Sequence, residues 1–189
     1  MPANFCLMCG HALEIRDISG VERQACPACR FVFWGHYSIG VGALVLKDDS
    51  LLLVRRSEDP GKGFWTNPGG YCEQDEPLEE TIMREVKEET GIIARVRRIV
   101  AIRDRPHSIH NLYVVFAMDY LDGDPVPDLL EVDRAGFFTR EEMESLPVAG
   151  LTRWLVEVAF TGGGEGLVSD DSPFVSKAGN SLFRIPRTS

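Results

Sequence analysis

The stretch that decides the fold is GGYCEQDEPLEETIMREVKEETGI, residues 69–92. Eight of its 24 residues are Asp or Glu, and only two are Arg or Lys. Pro77 suits the first turn of a helix, and Gly91 suits its C-terminal end. Between them one apolar stripe recurs at four-residue spacing, formed by Leu78, Ile82 and Val86. The stretch therefore predicts a loop followed by an amphipathic helix with an acidic outer face.

Three acids in the second half of this helix share one face. Glu85, Glu88 and Glu89 lie at positions i, i+3 and i+4, so their side chains project toward a common point. Like charges at this spacing destabilise a helix by about 0.2–0.5 kcal/mol per pair. A solvated acidic face is one interpretation, and a bound cation that offsets the repulsion is the other. Mg²⁺ suits the second, because it takes hard oxygen ligands and leaves positions open for phosphate oxygens.

The residues around these acids favour the metal interpretation. Gly69 and Gly70 allow the backbone to approach a ligand closely. Glu76 and Arg84 have opposite charges and can join the loop to the helix. Gly91 ends the helix directly after the acids. A flexible loop, a charged clamp and a clustered set of carboxylates together predict a ligand site.

The same residues match a known motif at every defined position. Gly70, then Glu76, then REVKEETGI at residues 84–92 fit the Nudix box. That box is a glycine, five residues, a glutamate, seven residues and REUxEExGU, where U is aliphatic. Its nine defined positions over 23 residues make the motif specific. The chain therefore resembles the Nudix hydrolase superfamily over residues 38–160, which implies an α/β/α sandwich with a mixed sheet.

The resemblance implies a reaction and a set of site residues. Nudix enzymes use Mg²⁺ or Mn²⁺ to hydrolyse the pyrophosphate bond of a nucleoside diphosphate linked to another group. Transferred onto this chain, the implied metal ligands are Glu85, Glu88, Glu89 and the carbonyl of Gly69. The residues that the resemblance assigns to support of the site are Gly70, Glu76, Arg84 and Gly91.

Several further roles stay open at the level of sequence. Family members differ in their general base, which here is either Glu85 or Glu131. Glu73 matches a glutamate that often accompanies the box, and we expect it near the metal ions. Arg55 and Arg56 end a strand that faces the box loop and are candidates for binding phosphate. Because strand residues alternate in direction, at most one of these two arginines should point there.

Four cysteines form a second pattern near the N-terminus. Cys6 and Cys9 form one Cys-x-x-Cys pair, Cys26 and Cys29 form another, and 16 residues separate the pairs. Two such knuckles indicate a four-cysteine zinc ribbon without an open coordination position, so its Zn²⁺ should be structural. Residues 1–37 carry three arginines against three acids, which favours docking or dimerisation over nucleic-acid binding.

The rest of the chain predicts an α/β domain. IGVGALVL and LLLVRR flank an Asp-Asp turn and indicate a hairpin, and RVRRIVAIRD, NLYVVFAMDY and AGFFT are further strand candidates. TREEMESL begins like a capping box and LTRWLVEVAF is amphipathic, so both predict helices. The expected domains are a zinc ribbon at 1–37, a Nudix hydrolase domain at 38–160 and a Gly- and Ser-rich tail at 161–189.

Composition and charge limit the expected partners. The formal net charge of −9 argues against non-specific binding to nucleic-acid phosphates. No apolar run approaches the roughly 18–20 residues that span a bilayer, and the N-terminus lacks the pattern of a secretion signal. We therefore expect a cytoplasmic protein with a small nucleotide substrate and without a nucleic-acid or membrane partner. A homodimer is compatible with the resemblance.

Two zinc-ribbon subgroups of the superfamily suggest different substrates. NFCLMCG, ACPACR, VGALVL and FWTNPGGYCE resemble the ADP-ribose or FAD pyrophosphatases, which implies cleavage of an ADP-linked compound with release of AMP. NADH and other dinucleotide pyrophosphatases carry a SQPWPFPxS-like motif after the box, where this chain has AIRDRPHSIHN. A non-catalytic Nudix module that senses nucleotides is the alternative from another class, although such modules usually have a degraded box. The net charge opposes a third alternative, an RNA-processing enzyme.

Overall fold

The computed structural model describes residues 3–161, 166–169 and 183–184. These residues divide into two compact units, of which the first comprises Met1–Ser38 with Arg105–Asn111. The second comprises Ile39–Asp104 with Leu112–Ser189. Most of the predicted tail lies outside the described residues. No helix in the described part of the chain is long and apolar enough to cross a membrane.

The first unit contains a two-stranded hairpin. Strands β1 (Glu14–Ile18) and β2 (Val21–Ala25) pair antiparallel, with Ile18 opposite Val21. The connecting residues Ser19 and Gly20 both have positive φ, at 56° and 85°, as a tight hairpin turn requires. Ser19 and Gly20 of the ISG sequence therefore form the turn between these two strands.

The second unit is built on a seven-stranded sheet with three helices. Five strands follow the order β5-β4-β3-β8-β7, while β6 pairs with β3 and β9 pairs with β4. The hairpin register, Leu46 opposite Leu51, confirms the predicted Asp-Asp turn. The strands are β3 (Tyr37–Lys47), β4 (Ser50–Arg56), β5 (Trp65–Thr66), β6 (Gly69–Tyr71), β7 (Ile93–Arg105), β8 (His110–Asp122) and β9 (Val132–Thr139). The helices are α1 (Leu78–Thr90), α2 (Arg140–Glu144) and α3 (Gly150–Thr161), and β10 (Val168–Ser169) pairs separately with β11 (Phe183–Arg184).

The two faces of the sheet bury two apolar clusters. Successive strand residues alternate between faces, so Leu52 joins one cluster while Leu51 and Leu53 join the other. Ile82 and Val86 of α1 complete the first cluster, which confirms the predicted apolar stripe. The second cluster is completed from α2 and α3 by Met143, Leu155 and Val156. The sheet therefore lies between helical layers, as predicted for an α/β/α sandwich.

Local capping sets the ends of the helices. Pro77 was expected in the first turn of α1. It instead lies just before the helix, in an extended conformation with φ −67° and ψ 151°. Gly91 ends α1 at φ 70°, a left-handed conformation that glycine adopts without a Cβ penalty. At α2, Thr139 and Glu142 form the predicted capping box in both directions. The predicted third helix is also confirmed.

Candidate functional site

The glycine loop packs directly against the acidic helix. Strand β6 places Gly70 opposite Val41 of β3. A Cβ built on Gly70 would lie 2.5 Å from the carboxyl carbon of Glu85, and one on Gly69 would lie 2.1 Å from the Val41 carbonyl oxygen. Gly69 also has φ 154°. Gly69 leaves no room for a side chain, and a side chain at Gly70 would displace the Glu85 carboxyl, so the loop reaches the helix acids through its backbone.

Glu89 is the buried acid of this site. It is 7% exposed, and its carboxylate accepts a hydrogen bond of 2.9 Å from the Gly69 amide. Burial raises the pKa of Glu89 to about 8. The Gly69 hydrogen bond lowers this pKa, whereas the negative charges of Glu85, Glu131 and Asp128 raise it further. Burial and carboxylate crowding thus act against ionisation of Glu89.

Arg84 connects the loop to three acids at once. Its Nη2 and Nε donate to Glu76 at 2.6 and 3.2 Å, which joins the loop before α1 to the helix. Its Nη1 lies 3.0 Å from Glu85 Oε1 and 2.9 Å from Glu88 Oε2. The Arg84 hydrogen bond holds the pKa of Glu76 below its ordinary value. Arg84 therefore sets the positions of Glu85 and Glu88 as well as that of Glu76, which sequence reasoning did not foresee.

The charge of Glu131 acts on the helix acids from a different part of the chain. This residue lies in the loop between β8 and β9, and its charge raises the pKa of Glu85, for which burial is the largest cause. Asp128, three residues earlier, contributes to the raised pKa of Glu89. Sequence reasoning missed Asp128, although an Asp just before a strand is a known signal for a side-chain-capped turn. The structure thus adds loop acids to the helix acids.

The other predicted site residues lie in different surroundings. Asp133 binds Arg55 through two hydrogen bonds of 2.7 Å each, so this guanidinium is already engaged by a carboxylate. Arg56 donates to the Pro60 carbonyl at 2.8 Å. Glu73 is exposed between β6 and α1. No hydrogen bond among the described residues joins Arg55, Arg56 or Glu73 to the acids of α1.

A buried polar chain supports the glycine loop from behind. The Thr152 hydroxyl on α3 donates to Asn67 Oδ1 at 3.1 Å, and Asn67 Nδ2 donates to the Tyr113 hydroxyl at 3.1 Å. Asn67 and Thr152 are 6% and 2% exposed. Burial raises the pKa of Tyr113, so the hydroxyl stays protonated. Because Gly69 lies two residues after Asn67, this chain fixes the backbone that binds Glu89.

The donor set of the site suits a hard divalent cation. Glu85, Glu88, Glu89 and Glu131 offer only carboxylate oxygens, and the crowding that raises the Glu89 pKa is the repulsion that such a cation offsets. Among the described residues, only the four cysteines gather three or more ligand atoms within 4.8 Å. Glu85 and Glu88 would therefore have to rotate away from Arg84 to share one ion with Glu89.

The four cysteines form a compact tetrad in the first unit. Their Sγ atoms all lie within 4.8 Å of one another, with Cys6–Cys29 at 3.6 Å and Cys9–Cys26 at 3.4 Å. A tetrahedral Zn²⁺ with bonds of about 2.3 Å requires sulfur separations of about 3.8 Å, so the tetrad fits zinc. Backbone amides two residues after Cys6 and Cys26 donate to the sulfurs at 3.4 Å, which favours thiolates.

The sandwich, the glycine loop and the acidic helix together define a Nudix-type α/β/α domain. A family model described as NUDIX domain matches residues 36–155. The chain therefore belongs to the NUDIX domain family, and the resemblance in the box is confirmed. A crystal structure of a NUDIX hydrolase from Nitrosomonas europaea matches with a TM-score of 0.74 and 26% identity, covering 85% of this chain and 92% of that one.

Curated relatives carry two kinds of name. An ADP-ribose pyrophosphatase of Methanocaldococcus jannaschii is 36% identical over 92 residues, which are 47% of this chain and 54% of that protein. A NAD-capped RNA hydrolase NudC of Stutzerimonas stutzeri is 31% identical over 155 residues, which are 82% of this chain and 55% of that protein. The chain thus spans a little over half the length of these relatives. Because the second name includes an RNA, the expected absence of a nucleic-acid partner stays a prediction.

Proposed function

We propose that this protein is a Mg²⁺- or Mn²⁺-dependent pyrophosphohydrolase that cleaves ADP-ribose or FAD. The observation that carries the proposal is the crowded set of carboxylates around the Gly69 loop, in which the charges of Glu85, Glu131 and Asp128 all raise the pKa of buried Glu89. Such a set suits binding of divalent cations, and these in turn attract the diphosphate to a chain of net charge −9. The first named relative, an ADP-ribose pyrophosphatase, supports this substrate class.

In the proposed reaction, water attacks one phosphorus of the diphosphate. A new P–O bond forms to the water oxygen, the P–O–P anhydride bond breaks, and the leaving phosphate departs with the electron pair. The products are AMP and the phosphorylated other half. Glu85, Glu88, Glu89 and the Gly69 carbonyl would hold the divalent ions, which would supply neutralisation of the phosphate charge and a more acidic water.

A carboxylate of this chain accepts the proton that the water loses. Glu85 and Glu131 are the two candidates, and we favour Glu131. Arg84 already donates to Glu85 at 3.0 Å, whereas Glu131 is exposed and can meet water directly. Arg84 and Glu76 hold the helix acids in place and take no part in proton transfer.

In the first unit, we propose that Cys6, Cys9, Cys26 and Cys29 bind one structural Zn²⁺. Four thiolates fill a tetrahedral site and leave no position for substrate. A unit this small has little apolar core, so the metal supplies much of its folding free energy. Its role in docking or in a homodimer stays a prediction.

A substrate panel, with chromatographic detection of the nucleotide products, tests the main proposal. The substrates are ADP-ribose, FAD, NADH, nucleoside triphosphates and diadenosine compounds, each with and without Mg²⁺. We expect turnover of an ADP-linked substrate that Glu88→Gln and Glu89→Gln reduce at least about 100-fold, as loss of a metal ligand does at such sites. Glu79→Gln, on the same helix, is the matched control. Full Mg²⁺-dependent activity in Glu89→Gln would show that the metal assignment is wrong, and no turnover of any compound would favour the nucleotide-sensing module.

A second candidate is a pyrophosphatase acting on NADH or on NAD-capped RNA. The Stutzerimonas relative with that name matches 82% of this chain, whereas the ADP-ribose relative matches 47%. Against it, the segment AIRDRPHSIHN departs from the motif of the NADH subgroup. Adding an NAD-capped RNA oligonucleotide to the panel separates the two, because only the second candidate predicts a higher kcat/KM for NADH or the capped RNA than for ADP-ribose.

A further inference from the structure

One carboxylate organises the turn that carries Glu131. Asp128 Oδ1 accepts hydrogen bonds from three successive backbone amides: 2.8 Å from Leu130, 3.1 Å from Glu131 and 3.1 Å from Val132. Asp side chains commonly bond to amides of their own turn, and three donors to one charged oxygen make this an unusually complete case. The backbone amides of Leu130, Glu131 and Val132 are thus all bound by Asp128.

The carbonyl side of the same turn is held by Ser57. The Ser57 amide donates to the Glu131 carbonyl at 2.9 Å, and the Ser57 hydroxyl donates to the Leu130 carbonyl. Ser57 follows directly after β4, a strand with four buried residues. The peptide of Glu131 is therefore fixed on both sides, by the Asp128 side chain and by the rigid sheet.

Apolar packing holds the end of this turn at Val132, which is 2% exposed, but it does not hold the tip of the turn. Leu129 and Leu130 are 71% and 76% exposed, so neither side chain anchors the loop in the core. Leu129 also has φ 63°, a left-handed conformation that side chains with a Cβ disfavour. A strained conformation persists only where the surroundings determine it, and here the surroundings are hydrogen bonds to Asp128 and Ser57.

We propose that Asp128 is a positioning residue that presents the Glu131 carboxylate to the helix acids. The Asp128 carboxylate accepts hydrogen bonds from backbone amides. Its role is therefore to position the turn and not to accept a proton. Its effect on catalysis passes through Glu131, which lies near enough to Glu85 and Glu89 to influence both electrostatically. This inference rests on the proposed function, because it takes Glu131 as the general base.

A double-mutant cycle in the full-length, zinc-loaded protein tests the inference. General-base catalysis contributes about 10²–10⁴-fold, so Glu131→Gln should lower kcat by roughly that range. Asp128→Ala should lower kcat about tenfold or more with KM changed less than about threefold, and in the Glu131→Gln background it should cause no more than about a twofold further loss. Asp128→Asn keeps an acceptor oxygen and should restore kcat to within about threefold of wild type. Asp124→Asn, an exposed acid of the same loop, is the matched control.

Amide hydrogen exchange gives a readout that does not depend on activity. Exchange at the Leu130, Glu131 and Val132 amides should accelerate about tenfold or more in Asp128→Ala and stay near wild type in Asp128→Asn. Unchanged exchange in Asp128→Ala overturns the inference even if the enzyme is active. The inference is also overturned if the fold-loss in kcat of the double mutant equals the product of the two single-mutant losses, because Asp128 would then act independently of Glu131. Wild-type activity in Glu131→Gln contradicts the general-base assignment and removes the catalytic part of the inference, whereas absence of turnover in wild type contradicts the proposed function alone.

Discussion

Replacing Glu89 by Gln should stabilise the protein at pH 8 and leave its stability at pH 5 nearly unchanged. Glu89 is 7% exposed, and burial raises its pKa from 4.5 to about 8. Between these values the folded state holds a proton that the unfolded state has released. The free energy of unfolding of wild type must therefore fall as pH rises through this window. Gln does not titrate, and its side-chain oxygen can still accept the Gly69 amide.

The size of the effect follows from the pKa difference. Each unit of pKa difference corresponds to about 1.4 kcal/mol. Raising the pH from 4.5 to 7 should therefore lower the free energy of unfolding of wild type by about 3 kcal/mol, because the unfolded state releases the Glu89 proton and the folded state keeps it. For a chain of this length, about 1 kcal/mol shifts Tm by roughly 2–4 °C. The Tm of Glu89→Gln should thus exceed that of wild type by roughly 6–12 °C at pH 7, and the difference should shrink toward pH 5.

Differential scanning calorimetry from pH 5 to 8 measures this difference. The buffer contains no divalent cation and no chelator, because a chelator would also remove zinc from the cysteines. Glu80→Gln, an exposed acid of the same helix, is the control and should follow wild type. Adding Mg²⁺ at pH 8 should raise the Tm of wild type more than that of Glu89→Gln. A difference between the two proteins that stays constant from pH 5 to 8 would refute the buried, protonated carboxyl.

Three further predictions concern other parts of the molecule. Glu76→Gln should lower the free energy of unfolding by about 1–2 kcal/mol near neutral pH, since it removes charge-assisted hydrogen bonds to Arg84. Because Arg84 lowers the pKa of Glu76, that difference should be present above the unfolded-state pKa of about 4.3 and be lost at lower pH, as urea titrations at pH 3 and pH 7 would show. Cys26→Ser should abolish stoichiometric zinc in elemental analysis and expose the N-terminal unit to proteolysis, whereas retained zinc and protection would contradict a four-thiolate site. Asn67→Ala leaves the partly buried Tyr113 hydroxyl without this partner and should cost about 1–3 kcal/mol, measurable as a lower Tm.

The predictions from sequence were most complete where the interacting residues lie in one segment. The helix, its apolar stripe and the contact between Glu76 and Arg84 fall within residues 69–92, and helical geometry alone relates them. The cysteine tetrad is comparable, because two knuckles joined by a short hairpin have few ways to meet. Asp128 was missed because its role depends on the path of a loop that spacing does not describe. Arg55 was predicted to bind phosphate because it ends a strand that faces the box loop. Its pairing with Asp133, 78 residues later, could not be foreseen from the sequence.

By itself, the sequence determined the family and the set of acids that face one side of α1. These follow from short-range periodicity and from a motif that can be recognised from residue types and spacing alone. Only the tertiary structure decided which of those acids is buried, because burial of Glu89 depends on the sheet and on Gly69, 20 residues earlier. It likewise decided that Arg84 contacts Glu85 and Glu88 and that the charge of Glu131 acts on Glu85 and Glu89. Such contacts join distant segments, and their strength depends on distance and on the loss of water, neither of which the order of residues specifies.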